Sequence, residues 1–268
     1  MTPQTPITGR AIRRIVLERS YRAGVGHIGS SLSVADLLAA VYDSQLKHPD
    51  VRDPDRNRFI LSKGHAALAL YAALYLKGWM SEEQLASFCT DGSPVGVHPE
   101  HTVPGIDFST GSLGHGLSIG AGSALGARLQ GARRRVFVLV SDAECNEGSL
   151  WEAAMFASHH GLANLIVLLD LNGQQALGYT RQVLDLSDMP GRWRAFGWDA
   201  SEVDGHDVDR IVSAIEACDG LSGPPHVIVA RTTFGKGVSF MERQIKWHYW
   251  PMSEAEYRQA ISELEDRS

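Results

Sequence analysis

The sequence predicts an α/β fold in which a doubly wound, mostly parallel sheet is covered by helices on both faces. The segments VFVLV (136–140), LIVLLD (165–170) and HVIVA (226–230) are continuous apolar runs that do not alternate with polar residues. This pattern is typical of parallel strands buried on both faces. Segments with helical periodicity separate the runs, as expected for repeated strand, helix, strand units. The chain has 268 residues, 44% of them hydrophobic, and we expect residues 1–268 to form a single domain.

The amino-terminal part of the chain is predicted to be mainly helical. Thr8 is a candidate N-cap for a helix that runs to about Arg22 and is ended by glycines. After the glycine-rich turn GVGHIGSS, Ser33 and Asp36 match a capping box that would open a second helix. RFILS (58–62) has the length and composition of a short buried strand.

Further helices are predicted from periodicity, cap signals or small-residue spacing. They cover about 64–77, a segment opened by Ser81, 112–130, 149–161 and about 208–219. Between two of them, residues 91–111 contain three prolines and are expected to be irregular. Because loops of this length in compact domains are commonly functional, we expect this one to contribute to a site.

The composition argues against several classes of protein. The formal net charge is −6 and the longest basic cluster is Arg133–Arg135, so no nucleic-acid-binding surface is expected. No apolar run is long enough to span a membrane, and the N-terminus MTPQTPITGR lacks the pattern of a signal peptide. Three cysteines without a C-x-x-C pair indicate a reducing compartment. We therefore expect a cytoplasmic protein.

Oxygen-bearing side chains follow two consecutive apolar runs. Asp142 comes after VFVLV and Asn172 after LIVLLD, and a right-handed crossover would bring both to the carboxyl edge of the sheet, where ligands bind. Carboxylate and amide oxygens suit Mg²⁺, which also takes phosphate oxygens of a cofactor. The simpler alternative is that Asp142 caps the following turn and that Asn172 occupies a left-handed turn before Gly173.

Histidines in loops next to glycine or proline form a second group of candidate site residues. Such residues suggest hydrogen-bond donors around an oxygen-rich substrate or a diphosphate. They occur in GHIG (His27), KGHA (His65), VHPE (His98), LGHG (His115) and WHYW (His248). A zinc site is the alternative, although no pair has the spacing of a helix or knuckle ligand set.

Six collinear motifs resemble the thiamine-diphosphate-binding half of transketolase. They are GHIGSSLSVADLLAAVY, LSKGHAALALYAAL, VHPE, TGSLGHGLS, SDAECNEGSLWEA and LDLNGQQALG, and TTFGKGVSF followed by WH extends the resemblance to about residue 250. The chain is similar in length to the N-terminal subunit of split transketolases, whose pyrimidine-binding and C-terminal domains belong to a second polypeptide. The resemblance therefore implies thiamine diphosphate and Mg²⁺ as cofactors, and a partner subunit in an α2β2 heterotetramer.

The resemblance implies roles for the residues around the cofactor. Asp142 and Asn172 would be Mg²⁺ ligands, together with the backbone carbonyl of Gln174. The other residues implied near the cofactor are Gly111, Ser112 and Leu113 beside the diphosphate and thiazolium, and Ala143 and Glu144 in the metal motif.

The resemblance also implies roles in catalysis and assembly. His65 and His248 would lie near the cofactor phosphates and the first carbons of the substrate, and His27 and His98 would hold hydroxyls of the donor sugar. The glutamates match an acidic cluster at the subunit interface. They are Glu147, which would take part in catalysis by communicating with a glutamate of the partner, and Glu152, for which a solvated helix face is the alternative.

The chain departs from the family pattern at two places. Ser141-Asp142-Ala143 stands where Gly-Asp-Gly is usual, which would weaken cofactor binding if the backbone required positive φ. We expect a negative φ at Ala143 and an amide that points toward the diphosphate. Tyr249 stands where glycine is more usual, and with the neighbouring tryptophans it could narrow the mouth of a substrate channel.

The implied activity is the transfer of a two-carbon ketol unit from a ketose, expected to be a sugar phosphate, to an aldehyde or related acceptor. Deoxyxylulose-phosphate synthase and the α subunit of 2-oxo acid dehydrogenases use the same cofactor, but KGHA and VHPE favour transketolase. The alternative from another class is a catalytically silent scaffold subunit. Ser141 and Ala143 encourage that alternative, whereas the retained Asp142, Asn172 and histidines argue against it.

Overall fold

A five-stranded, fully parallel sheet forms the centre of the structure, a computed structural model that describes residues 6–48, 50–218 and 222–266. Its order is β1-β2-β3-β7-β6, and a separate antiparallel hairpin, β4–β5, follows β3. The strands are β1 Arg58–Leu61, β2 Val136–Ser141, β3 Leu165–Leu171, β4 Gln174–Gln175, β5 Gly178–Tyr179, β6 Asp199–Asp204 and β7 His226–Arg231. The predicted parallel sheet is confirmed.

Helices cover both faces of the sheet, as the apolar runs predicted. The helices are α1 Gly9–Ala23, α2 Ile28–Ser33, α3 Ala35–Ser44, α4 Ala67–Lys77, α5 Glu82–Ala86, α6 Gly116–Leu129, α7 Gly148–His159, α8 Thr180–Val183, α9 Met189–Ala195, α10 Val208–Glu216 and α11 Glu254–Asp266. Alternate residues along β2 face opposite sides: Phe137 packs with α1 to α4, and Val138 packs with α6, α7 and α9. None of the helices in the described ranges is long and apolar enough to cross a membrane.

Cap signals predicted two helix starts correctly and one wrongly. The side chain of Thr8 accepts from the amide of Ala11 and opens α1, and Ser81 opens α5 with a complete capping box. Ser33 and Asp36 do not form the predicted box, because α3 begins after Val34 without a side-chain cap. The Ser33 hydroxyl instead donates to Asp170, and Asp36 pairs with Arg13.

Several elements differ from the sequence-based prediction. GVGHIGSS is not only a turn, because α2 begins at Ile28, and the helix predicted over 112–130 begins four residues later, at Gly116. Strand β6 and the β4–β5 hairpin were not predicted. The helix predicted near 208–219 is observed as α10, and its last predicted residue lies outside the described part of the chain.

The carboxyl ends of β1, β2 and β3 meet at one edge of the sheet. Leu61 pairs with Leu139, and Ser141 pairs with Asp170, so the residues that follow these strands emerge side by side. The irregular segment 91–111 supplies the loop that reaches the same edge, where the Thr110 hydroxyl donates to the carbonyl of Leu61.

Candidate functional site

A cavity of about 620 Å³ lies beyond the carboxyl ends of the strands, where ligands bind in doubly wound folds. It is bounded by α2, the loop 98–113, the turns after β2 and β3, the β4–β5 hairpin and the segment 234–248. The lining residues are His27, Ser30, Lys63, His65, His98, Gly111, Leu113, Ser141, Ala143, Asn146, Glu147, Asn172, Gln174, Gln175, Ala176, Leu177, Val183, Leu184, Phe234 and His248. Most of the predicted site residues are therefore brought together, although Ser112, His115, Asp142, Glu144 and Glu152 do not line the cavity.

Three of the histidines form a compact triangle at the wall of the cavity. The ring centroids of His27, His65 and His248 are 5.4 to 5.5 Å apart. Burial lowers the pKa of each ring, to about 4 for His248 and well below the usual value for His65. For His65 and His248 the nearby Lys63 ammonium lowers the pKa further. Neutral imidazoles can both donate and accept hydrogen bonds, which suits contacts to sugar hydroxyls.

The backbone at His27 is held in an unusual conformation. Its φ is +59°, in the left-handed region that few non-glycine residues adopt, and its amide donates to the carbonyl of His248 at 3.2 Å. Strained backbone of this kind clusters at functional sites. The arrangement fixes two of the histidines relative to each other.

Six residues that line the cavity each have a buried polar atom with no hydrogen-bond partner within the described part of the chain. Buried polar groups in folded proteins are nearly always bonded, so such a group of atoms indicates a polar ligand. They are the Nδ1 atoms of His27 and His248, the Oγ of Ser30, the Oδ1 of Asn146, the Oε1 of Gln174 and the Nε2 of Gln175.

Asp142 lies fully buried directly beneath the cavity. Its Oδ2 accepts from the amide of Gly173 at 2.9 Å and from the hydroxyl of Thr180 at 3.0 Å. Burial and the nearby Asp170 carboxylate together raise its pKa to about 7, against the opposing effect of the Lys63 ammonium. A bound cation would offset this unfavourable charge environment.

Asn172 and Gln174 lie in the turn that follows β3. The Oδ1 of Asn172 accepts from the amide of Gln174, and Gly173 between them has a φ of +75°. The left-handed position proposed for Asn172 is therefore occupied by Gly173, which tolerates it. Through the amide of Gly173, the turn lies against the Asp142 carboxylate and brings the Asn172 side-chain amide near it, and oxygen donors of this kind fit Mg²⁺.

No three His, Cys, Asp or Glu side chains within residues 6–48, 50–218 and 222–266 are grouped so that they could hold a metal ion. The structure therefore offers no support for the zinc alternative. The magnesium set differs in kind, since it has one carboxylate and takes its other ligands from amide and carbonyl oxygens.

Ser141 and Ala143, which replace the two glycines of the metal motif, introduce no backbone strain. Ser141 is the last residue of β2, and Ala143 begins a short 3₁₀ turn that ends at Asn146. The negative φ expected at Ala143 is confirmed, because it is not among the described residues with positive φ. Its amide donates to Oδ1 of Asp142 at 2.9 Å, and the expectation that it points toward a diphosphate stays a prediction.

The loop that carries Gly111 and Leu113 requires glycine for its path. Gly111 has a φ of +150° and lies against the ring of His98, and a Cβ on Gly64 would be 2.9 Å from the amide of Gly111. Ser112 faces a neighbouring depression that also includes His98 and Gly111. The loop therefore brings its backbone close to the cavity.

The three glutamates of the metal motif occupy different environments. Glu144 is fully buried, and its carboxylate accepts hydrogen bonds from the amides of Gly114 and Ser141. Glu147 lines the cavity and is exposed, and Glu152 is exposed on α7. The exposed pair is thus accessible to a second chain.

Lys63 and Asp170 are site residues that the sequence analysis missed. They form a buried ion pair of 2.5 Å beneath the cavity, and Lys63 also lines it. Lys63 stands two residues before His65 in the KGHA motif, so a charged residue in a glycine-flanked motif was the available signal. Ser30 and Gln175 were missed because neither stands out locally.

Residues 7–265 match the family model of the transketolase thiamine diphosphate binding domain. The chain belongs to the transketolase family. It is 40% identical over 257 residues to an apulose-4-phosphate transketolase subunit from Phocaeicola vulgatus, covering 95% of this chain and 92% of the relative. A 6-deoxy-6-sulfo-D-fructose transketolase subunit from a Clostridium species is also 40% identical, covering 95% of this chain and 94% of the relative.

Full-length transketolases share the fold. The crystal structure of transketolase from Campylobacter jejuni matches with a TM-score of 0.88 and 28% identity over 99% of this chain. The chain spans 43% of that transketolase, whereas it spans nearly the whole of the separate subunits. In length and sequence it therefore corresponds to the N-terminal, thiamine-diphosphate-binding subunit of a split transketolase, and the predicted family and fold are confirmed.

Proposed function

We propose that this chain is the cofactor-binding subunit of an enzyme that transfers a two-carbon ketol unit from a ketose, expected to be a sugar phosphate, to an aldehyde acceptor. The observation that carries the proposal is the cavity, whose lining includes four histidines and six residues with an unpaired buried polar atom. The family to which the chain belongs identifies the ligand class, thiamine diphosphate, and we infer that a divalent cation binds with it.

The residues below the cavity fit Mg²⁺ and the diphosphate. In the proposal Asp142, Asn172 and the backbone carbonyl of Gln174 hold the metal, and the loop 111–113 lies against the diphosphate. Bound thiamine diphosphate supplies the carbon nucleophile and electron sink for breaking a carbon–carbon bond beside a ketone. The burial of Asp142 keeps water from competing for its carboxylate.

The histidines act on the substrate. His27, His65, His98 and His248 lie around one opening, and the three with lowered pKa values are neutral near pH 7, so they orient sugar hydroxyls without adding charge. Their N–H groups can donate to oxygen atoms that gain negative charge as the carbon–carbon bond breaks. Glu147 at the rim is assigned to communication with the partner subunit.

A partner subunit completes the enzyme in this proposal. The related chains are named as subunits, and the exposed glutamates Glu147 and Glu152 lie where a second chain can reach them. We infer a cytoplasmic α2β2 assembly, since pairs of chains close symmetrically about a two-fold axis. No observation favours a silent scaffold, because Ser141 and Ala143 introduce no backbone strain.

Three parallel assays test the proposal. Ketol transfer is measured with this chain alone, with the product of the adjacent gene alone, and with both mixed, in the presence of thiamine diphosphate and Mg²⁺. Apulose 4-phosphate and 6-deoxy-6-sulfofructose are the first donors to examine, because they appear in the names of the two relatives. Turnover only by the mixture supports the proposal, and full turnover by this chain alone contradicts the need for a partner.

A further inference from the structure

The carboxylate of Glu144 is a common acceptor for three separate segments around the cavity. Its Oε1 accepts from the amide of Gly114 at 3.0 Å and from the hydroxyl of Ser62, and its Oε2 accepts from the amide of Ser141 at 2.8 Å. The side chain is fully buried. Each of its bonds therefore forms in surroundings where an unmade bond is costly.

Each of these three donors stands next to residues that line the cavity. Ser62 directly follows β1 and precedes Lys63 and His65. Gly114 directly follows Leu113. Ser141 itself lines the cavity at the end of β2. Glu144 thus connects three walls of the cavity without being one of its lining residues.

We infer that Glu144 is a positioning residue that holds the loop 111–114 and the end of β1 in place beside the end of β2. The inference rests on the proposed function for the identity of the ligand, because these segments form the side of the cavity assigned to the diphosphate. Glu144 acts through the backbone of this loop and not by contact with the cofactor.

The loop is packed tightly at its carboxyl-terminal end, where the Ser149 hydroxyl also donates to the carbonyl of Gly114 at 3.0 Å. A Cβ on Gly116 would be 2.2 Å from Oγ of Ser62, so the start of α6 already lies tightly against the serine. A Cβ on Gly114, whose φ is +82°, would be 2.6 Å from Cβ of Glu147. Because each oxygen of the Glu144 carboxylate accepts from a backbone amide, that of Gly114 or that of Ser141, a glutamine there would place its NH₂ group against an N–H donor.

Hydrogen exchange and cofactor titration on the full chain test this inference. In Glu144→Gln we expect amide exchange over 111–116, without cofactor, to rise by about tenfold or more, as for a lost buried hydrogen bond. We expect the affinity for thiamine diphosphate with Mg²⁺, measured by calorimetry, to fall by a similar factor. Ser62→Ala removes one donor without changing the charge, and it should give the same changes to a smaller extent.

Ile215→Ala is the matched control for a general loss of stability of the fold. Ile215 is fully buried in α10, and its carbonyl accepts from Arg135 just before β2, at the amino edge of the sheet and away from the cavity. We expect this variant to lower the melting temperature while leaving loop exchange and cofactor affinity unchanged.

Either of two results would overturn the inference. One is an unchanged rate of amide hydrogen exchange over 111–116 in folded Glu144→Gln. If that variant does not fold, the same result in Ser62→Ala counts instead. The other is an equal loss of affinity in Ile215→Ala. If the wild-type chain and its complex bind no thiamine diphosphate, the proposed function fails, and the exchange comparison still decides whether Glu144 positions the loop.

Discussion

The Nζ atom of Lys63 lies 2.5 Å from Oδ2 of Asp170, and neither side chain is more than 1% exposed. The same carboxylate accepts from the hydroxyls of Ser33 and Thr232 and from the Nδ2 of Asn172. The ion pair therefore joins the ends of β1 and β3 and orients one of the proposed Mg²⁺ ligands.

Breaking this ion pair should be strongly destabilising. In Asp170→Asn the ammonium of Lys63 is left buried without its counter-ion, and we expect the free energy of unfolding in urea to fall by about 3 kcal/mol. Adding Lys63→Met to that variant removes the unpaired charge and should restore part of the loss. Strictly additive effects of the two substitutions in the double-mutant cycle would contradict the coupling.

Removal of the Asp142 carboxylate should abolish the dependence of cofactor binding on Mg²⁺. We expect Asp142→Ala to weaken binding of thiamine diphosphate by at least about tenfold in calorimetric titrations with Mg²⁺, because a charged metal ligand is lost. Asp207→Ala is the matched control, since Asp207 also accepts a backbone amide, at the start of α10. Similar losses in the two variants would rule out Asp142 as a specific ligand.

The lowered pKa of His248 predicts a pH dependence of stability. Burial lowers its pKa to about 4, so between about pH 4 and 6.5 the unfolded chain binds more protons than the folded chain. The contribution of His248 to the free energy of unfolding should therefore decrease as the pH falls through this window.

Histidine chemical shifts measured by NMR would locate the titration of His248. Chemical denaturation at several pH values gives the free energy of unfolding as a function of pH. This free energy should depend less steeply on pH in His248→Asn than in the wild type. A normal histidine titration near pH 6.5 for His248 would contradict the prediction.

Two glycines near α6 should respond to alanine in opposite ways. Gly114 has a φ of +82° and no room for a Cβ beside Glu147, so Gly114→Ala should lower the free energy of unfolding by more than about 1 kcal/mol. Gly122 lies in α6, and a Cβ added there would have no neighbouring atom within 4 Å. Gly122→Ala should raise stability by about 0.5–1 kcal/mol, because alanine favours the helix. Thermal unfolding of the isolated chain measures both, and a loss of stability in Gly122→Ala would show that the helix is constrained there.

The three central strands and the edge strand β1 could be predicted from the sequence, whereas the other edge strand, β6, could not. β2, β3 and β7 are covered on both faces and read as apolar runs, but in β6 (DASEVD) no residue is fully buried and Val203 is its one large apolar residue. An edge strand with so little burial leaves no apolar pattern. α2 was taken for a turn because its glycine and serines are poor helix formers, and tertiary contacts bury all six of its residues.

The candidate site was predictable where a residue lies in a short motif. Asp142, Asn172 and the histidines stand beside glycines or at strand ends, so local sequence marks them. The Lys63–Asp170 pair and the bonds from Ser62 and Gly114 to Glu144 join segments that are far apart along the chain. Such contacts leave no periodic pattern in the local sequence. Only the packing of the strand ends brings these residues together.

The hydrogen bond from the amide of His27 to the carbonyl of His248 links residues that are far apart in the sequence. During synthesis the histidine triangle cannot close until the segment that contains His248 has left the ribosome and packed against α2. Loop closure over such a span is slow compared with the formation of local helices. Cofactor capture is therefore a late event in the maturation of the subunit, and an unfinished or C-terminally cleaved chain would lack one wall of the pocket.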